Sequence, residues 1–509
     1  MKKIFGLIAI CFLLFGCDLD KTSPPPSSSS TVTSVTVSPA DVSVEIEETQ
    51  QFTVEVQGTG NFDSSVNWFV NDVRAGNNTV GTISWTGLYT APSTIPDPST
   101  VIVKAVSVQD STKFGTASVT ITGLSQPKLE WVRTMDFGST LADRGYAVAI
   151  DSQHNIIVGG IKWLSTSAPS GTPIPSPIGV LLSYDSEGNE RWVLDFGDIP
   201  SEVLGIEASS DLQDFFFTGS PDTFCGKISN LGQILIDPFI HPVQVDGYPF
   251  AIRRQDDELY LTIFGTGRIP WVVKTDLFCN PIGSFQVRDE GVPRGLWVTP
   301  SHILVSGNFY DSEGDWNIAG FVKKFDIVGN LLWERIFDDV VNSFVVEDSE
   351  GHIYAAGTQL PPPPNPDTPY TYKFFVAQLD QNGNEIWHVF WDCDHPGPDN
   401  SGNFTTDLIL NPSGGVVVLG HITELPGNPY SVYGGWDFGI WAVDSEGQTS
   451  WTIRQDFNQS IFDIPEAAVF DGPGVLIVVG GIISNPSSTN TGPGADRDIA
   501  VVKFLVPID

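Results

Sequence analysis

The spaced pattern Asp-x-x-Gly-x-x-x-Trp occurs four times along the chain, as Asp185–Gly188–Trp192, Asp326–Gly329–Trp333, Asp380–Gly383–Trp387 and Asp444–Gly447–Trp451. Each copy follows an apolar run, such as Val180-Leu181-Leu182 or Phe374-Phe375-Val376-Ala377. The unit therefore reads as strand, tight turn, strand. Asp opens a turn by bonding the backbone ahead of it, Gly accepts positive φ, and Trp starts the next strand as a large packing anchor. A second half-unit, a polar turn and a β-rich run ending in Gly, spans Asp151 to Gly160, Asp348 to Gly357, Asn411 to Gly420 and Asp471 to Gly480. Weaker versions end at Gly219, Gly265 and Gly307, which gives seven units of about four short strands each.

The spacing agrees with that count. Trp131 to Trp192 is 61 residues, Trp333 to Trp387 is 54 and Trp387 to Trp451 is 64, while the gap of 141 from Trp192 to Trp333 divides into three units. At the two middle boundaries the Trp is lost, with Ile236 following the Asn230-Leu231-Gly232 turn and Gly283 following Asp276-Leu277-Phe278-Cys279. Four-stranded units repeated in this way predict an all-β chain with a seven-bladed β-propeller over residues 128–509. The array opens on a Trp strand at Leu129-Glu130-Trp131-Val132 and ends on Ile499 to Phe504 with no Trp strand after it. The first strand is thus expected to complete the last blade and remove the free sheet edge.

Upstream, residues 1–16 pair basic Lys2 and Lys3 with an apolar core, Ile4 to Phe15, too short to span a bilayer. Leu14-Phe15-Gly16-Cys17 resembles the bacterial lipoprotein signal, which implies cleavage before Cys17 and its acylation, hence a palmitate-type membrane anchor outside the cytoplasm. Residues 17–30 carry Pro24-Pro25-Pro26 and a serine run and read as a tether. Residues 31–123 alternate apolar and polar in roughly seven short strands, as expected of a β-sandwich. Val35-Thr36-Val37-Ser38-Pro39, Val66 to Asn71 and Gly81 to Pro92 resemble the bacterial Ig-like domains of group 2. That likeness implies a spacer or adhesion module, in which Trp68 packs without an inter-sheet disulfide. Asp437 to Asp444 and Asp498 to Lys503 resemble bacterial seven-bladed propeller repeats of secreted proteins. Quinoprotein blades carry a similar turn with one more residue before the Gly, and sialidase Asp boxes place Gly two residues after Asp; the four Asp–Gly–Trp turns have neither spacing.

The formal net charge of −36 argues against nucleic acid, whose phosphates need Lys and Arg clusters. After Cys11 and Cys17, three cysteines remain, and Cys225 with Cys279 in neighbouring blades is the candidate disulfide, leaving Cys393. Asp392-Cys393-Asp394-His395 gathers too few soft ligands in one loop for zinc. Asp311, Glu313, Asp315 and Asn317 place oxygens at alternate residues as calcium loops do, but Trp316 stands where Gly would be and Val322 where the bidentate Glu would be. An acidic hairpin tip is the preferred reading, and no metal or cofactor is expected. No nucleophile elbow, zinc helix or phosphate loop is present. His154 and His352 share one repeat slot and are expected to face solvent.

Insertions at Ser165–Ser176, Pro361–Tyr370, Pro426–Gly435 and Ser484–Gly494 fall between second and third strands, so one face is expected to carry loops with Tyr370, Tyr430, Tyr433 and Trp436 as a ligand face. The expected function is a monomeric, lipid-anchored envelope protein, without catalysis, that presents the propeller to a protein or glycan. Two alternatives stay open. One is a polysaccharide-acting glycosidase or lyase with carboxylates on one propeller face. The other is an assembly scaffold resembling cofactor-free quinoprotein propellers.

Overall fold

The computed structural model describes residues 29–138, 142–167, 173–220, 223–238, 247–288, 290–310, 316–360, 372–391, 404–423, 436–457, 463–482 and 497–508. Two compact units, Met1–Gly123 and Leu124–Asp509, make up the chain. In the first, Phe114–Thr122 pairs with Thr100–Ser107 on one side and, in parallel, with Asp41–Glu45 on the other. Thr100–Ser107 continues the sheet through Val66–Val70, while Thr31–Ser38 pairs with Thr53–Thr59. The strict alternation of Val101, Val103 and Ala105 with outward residues sends one row of side chains into a core shared with Trp68, Val119, Ile121, Phe52 and Tyr89. Eleven short strands are present, more than the roughly seven expected, because several pairings involve only two or three residues.

The second unit consists of seven four-stranded antiparallel sheets. Blade 1 is Arg144–Ile150, Ile156–Ser167, Pro173–Tyr184 and Glu190–Pro200 in that order. The innermost strands of blades 2 to 7 are Glu202–Ala208, Gly247–Gln255, Val292–Val298, Val340–Glu347, Phe404–Leu410 and Ile464–Phe470. Each innermost strand packs on its neighbours, and that of blade 7 packs on that of blade 1. Blade 7 takes its outermost strand from Lys128–Met135, which pairs antiparallel with Asp498–Leu505. The strand runs between blades are continuous apolar layers, such as Ile157, Leu181, Ile206, Phe215 and Phe217 between blades 1 and 2.

The repeated turn explains how the blades adhere. Asp326 and Asp380 each accept the backbone N–H four residues on and the side-chain amide of Asn330 or Asn384, and these bonds hold both carboxyls below their usual range. In three of these turns the Gly lies under the Trp of the preceding blade. A Cβ at Gly232, Gly383 or Gly447 would stand 2.9, 2.8 or 3.0 Å from the indole carbons of Trp192, Trp333 or Trp387. Each of these indoles also donates its N–H to a carbonyl in the same turn, Asn230 at 3.0 Å, Gln381 at 2.9 Å and Ser445 at 3.1 Å. Gly and Trp are thus two halves of one inter-blade contact, contributed by successive blades.

Other boundaries use other contacts. Between blades 3 and 4 the Phe285 ring covers Gly329, where a Cβ would come within 2.7 Å. Between blades 2 and 3, Cys279 replaces the Gly, keeps its left-handed backbone at φ 63° and forms a disulfide with Cys225 across the boundary. At the closing boundary Arg133, on the first strand, donates from Nε to the Gly188 carbonyl at 2.9 Å and from Nη2 to the Glu187 carbonyl at 3.0 Å. Lys503 adds a bond to the Ser186 carbonyl at 3.2 Å. The insertion expected at Ser165–Ser176 needs correction: the ladder of blade 1 runs on through Ser165↔Pro175 to Ser167↔Pro173, so most of it is extended strand.

A candidate binding ring in the axial channel

The Gly that closes each second strand sets up the candidate site. At Gly160, Gly219, Gly307, Gly420 and Gly480 a Cβ would collide with a backbone carbonyl of the innermost strand, at 2.0, 1.7, 2.1, 2.2 and 2.0 Å. Only Gly permits this approach. Directly beside it, every innermost strand carries a bulge. An extra residue in one strand re-aims a side chain that regular pleating would send elsewhere. In six blades the bulged residues are Tyr146, Leu204, Phe250, Arg294, Thr406 and Glu466. Blade 5 has a longer bulge at Asn342 and Ser343, with Asn342 left-handed at φ 53°, and presents Phe344.

These seven side chains, Phe344 included, all line the channel, between an inner cavity of about 160 Å³ and an outer one of about 410 Å³. The outer cavity lies where innermost strands begin and second strands end, and Tyr248, Phe264 and Glu202 complete it. The ring is chemically mixed although its backbone is repeated. Arg294 lies over the Phe250 ring at 5.1 Å. Glu466 stands 3.6 Å from Arg144; burial raises its carboxyl pKa, while Arg144, Arg497 and Arg294 oppose that rise. Asp407 is raised by burial too, but its oxygens accept the Leu408 and Ala468 N–H groups at 2.8 and 3.1 Å. Burial pushes the Tyr146 phenol up, and Glu466 and Glu202 add to that shift. Aromatic faces beside one guanidinium and a carboxylate suit an uncharged or zwitterionic polar ligand with an apolar face.

A wider cavity of about 900 Å³ occupies the opposite end, lined by His154, Glu207, Arg253, Arg254, Trp297 and Asp471 among others. His154 is exposed as expected, yet its Nδ1 lies 2.6 Å from Asp471, whose hydrogen bond raises the imidazole pKa. His352 is about one-third exposed and bonds Asp348 within its own turn at 3.0 Å. Asp437, Asp456 and Asp463 bring one oxygen each within 4.8 Å of one another, a grouping not visible in sequence spacing.

The expected ligand-face residues Tyr370, Tyr430 and Tyr433 lie outside the described residues, as do Cys17, Cys393, His395, Asp311, Glu313 and Asp315. Trp436 opens a strand paired at Thr423, and Asn317 lies in Trp316–Asp326; their side chains are outside the description. The ring residues were not singled out from the sequence. Their signal was nonetheless there, in the Gly-ending strands that face each bulge.

Residues 31–114 match the bacterial Ig-like domain (group 2) family. No curated protein matches the chain. Among solved structures, the Dos1 propeller is similar over 74% of this chain and 95% of its own, at 11% identity and a TM-score of 0.41. The Cps50 (Swd1) β-propeller domain of Myceliophteria thermophila is similar over 73% of this chain and 99% of its own, at 9% identity and a TM-score of 0.41. A protein of unknown function from Dyadobacter fermentans is similar over 75% and 100%, at 9% identity and a TM-score of 0.40.

Proposed function

We propose that the chain is a lipid-anchored cell-envelope binding protein whose propeller takes a glycan ligand at the channel ring. The observation that carries this reading is the ring itself: one bulge per blade turns a non-repeating set of side chains into a cavity of about 410 Å³. Ligand sites of this size are concave, aromatic and fitted with a few polar groups, and sugar rings stack on aromatic faces. Cys17 supplies the anchor, and the Ig-like unit separates the propeller from it along the chain. Enzymatic action on polysaccharide is a second reading, favoured by the raised Glu466 carboxyl lying with Glu202 around Tyr146.

A glycan array probed with residues 29–509, which contain every described strand, separates these readings. Binding without product release, weakened by Arg294→Ala and by Phe250→Ala at unchanged circular dichroism, supports the proposal. Product release that stops in Glu466→Gln would replace it with the enzyme reading, and absence of glycan binding would remove it. For the anchor, radiolabelled palmitate should enter the chain and fail to enter Cys17→Ala.

A further inference from the structure

The tips of the Asp–Gly turns differ between blades in a way that their shared backbone does not require. Blades 2, 3 and 4 place Leu231, Phe278 and Val328 at the tip, 66%, 69% and 75% exposed. Four residues on, in the outermost strands, Leu235, Ile282 and Leu332 are 48%, 53% and 55% exposed. The corresponding tips of blades 1, 5 and 6 are Glu187, Asn382 and Glu446. In this chain of net charge −36, the runs 229–236, 277–287 and 327–333 contain no charged residue, whereas 185–192, 380–387 and 444–451 all do. The Asp that opens the turn in blades 3 and 4, Asp276 or Asp326, has its carboxylate engaged by the side-chain amide of Asn280 or Asn330.

We infer that these three adjacent blades form a membrane-contact edge that dips its turn tips into the interface of an uncharged bilayer. Three features favour lipid over a protein partner. The apolar residues stand on turn tips rather than in a pocket, so they can enter acyl chains singly. The stretch lacks the Tyr and Arg anchors on which protein interfaces depend, and its one Trp, Trp333, is engaged by the Gln381 carbonyl and Gly383 of the next blade. Lacking Lys and Arg, it gains nothing from anionic headgroups, and the acidic remainder of the chain disfavours them. A protein tethered by an acylated Cys17 would also be held at a bilayer surface; this clause alone rests on the proposed anchoring. The edge lies at the end of the channel opposite the ring, so contact would leave the ring open to solvent.

The test uses residues 29–509, which carry no lipid, in flotation with phosphatidylcholine vesicles, against the variant L231S/F278S/V328S. The protein should float with vesicles, insensitive to salt between about 0.05 and 0.5 M, and the variant should partition at least about tenfold less. No flotation, or equal flotation of the variant, overturns the inference. So does sedimentation showing that the wild type self-associates and the variant does not, which would make the edge an interface between copies. Because the lipid anchor is absent from both proteins, failure here leaves the palmitate result untouched, and the reverse also holds.

Discussion

Replacing Gly383 with Ala tests whether the Asp–Gly–Trp repeat is an inter-blade contact. Gly383 has φ 80°, and a Cβ there would lie 2.8 Å from Trp333 Cε3 and 2.9 Å from Cδ2. Two costs follow. The left-handed backbone disfavours Ala by about 1–2 kcal/mol, partly offset by the lower entropy of the unfolded chain. Displacing a packed indole by several tenths of an ångström adds about 1–3 kcal/mol. The sum is about 2–4 kcal/mol. Gly472 separates the two terms, because its φ is 79° and a Cβ there meets nothing within 4 Å. Gly472→Ala should therefore cost only about 1 kcal/mol. Urea unfolding of residues 29–509 gives both values, and Trp333→Ala combined with Gly383→Ala should recover the excess as a coupling energy of about 1–3 kcal/mol. Equal losses at Gly383 and Gly472, or additive effects in the double variant, would refute the contact.

The disulfide should do at the boundary of blades 2 and 3 what Trp on Gly does elsewhere. Cys225→Ala with Cys279→Ala opens a loop of sequence separation 54 and should cost about 4 kcal/mol in urea unfolding; an unchanged midpoint would count against that role. A pH effect is expected at Asp143, which is buried with its oxygens on the Phe137 and Trp163 N–H groups. Burial pushes this carboxyl to about 7, so the folded state holds an extra proton and loses stability as pH rises from about 4 towards 7. His421 acts oppositely: burial, aided by Arg497 and Arg144, lowers it to about 3, and its contribution is lost as pH falls below about 6.5. The difference between wild type and Asp143→Asn isolates the first term. The wild type should lose about 3 kcal/mol more than the variant between pH 4.5 and 7.5, and parallel profiles would contradict it.

Much of the architecture was legible because it is written in turn chemistry. Asp326, Gly329 and Trp333 announce strand, turn and strand, and seven such units leave few alternatives to a ring. What the spacing could not show is that Gly and Trp act on different neighbours, since each Trp meets a Gly about forty to sixty residues downstream. The same gap hid the purpose of the degenerate boundaries, where Phe285 and the Cys225–Cys279 pair take over. The ring was hidden for a different reason. Regular alternation fixes which residues face inward only while the pleat is unbroken, and a bulge shifts that phase by one. Arg294 and Glu466 therefore could not be assigned to the channel from a period-two reading. Their signal was the Gly-ending run that follows each of them, which marks a close backbone approach without saying what it re-aims.

All of these placements depend on the ring being closed by its first strand. Amide hydrogen exchange over residues 128–135 measures this directly, because among the described residues the one sheet partner of that strand is Asp498–Leu505. Closure predicts protection of its ladder amides comparable to that of residues 499–505. Exchange at the rate of an unstructured linker, while 499–505 stays protected, would contradict it.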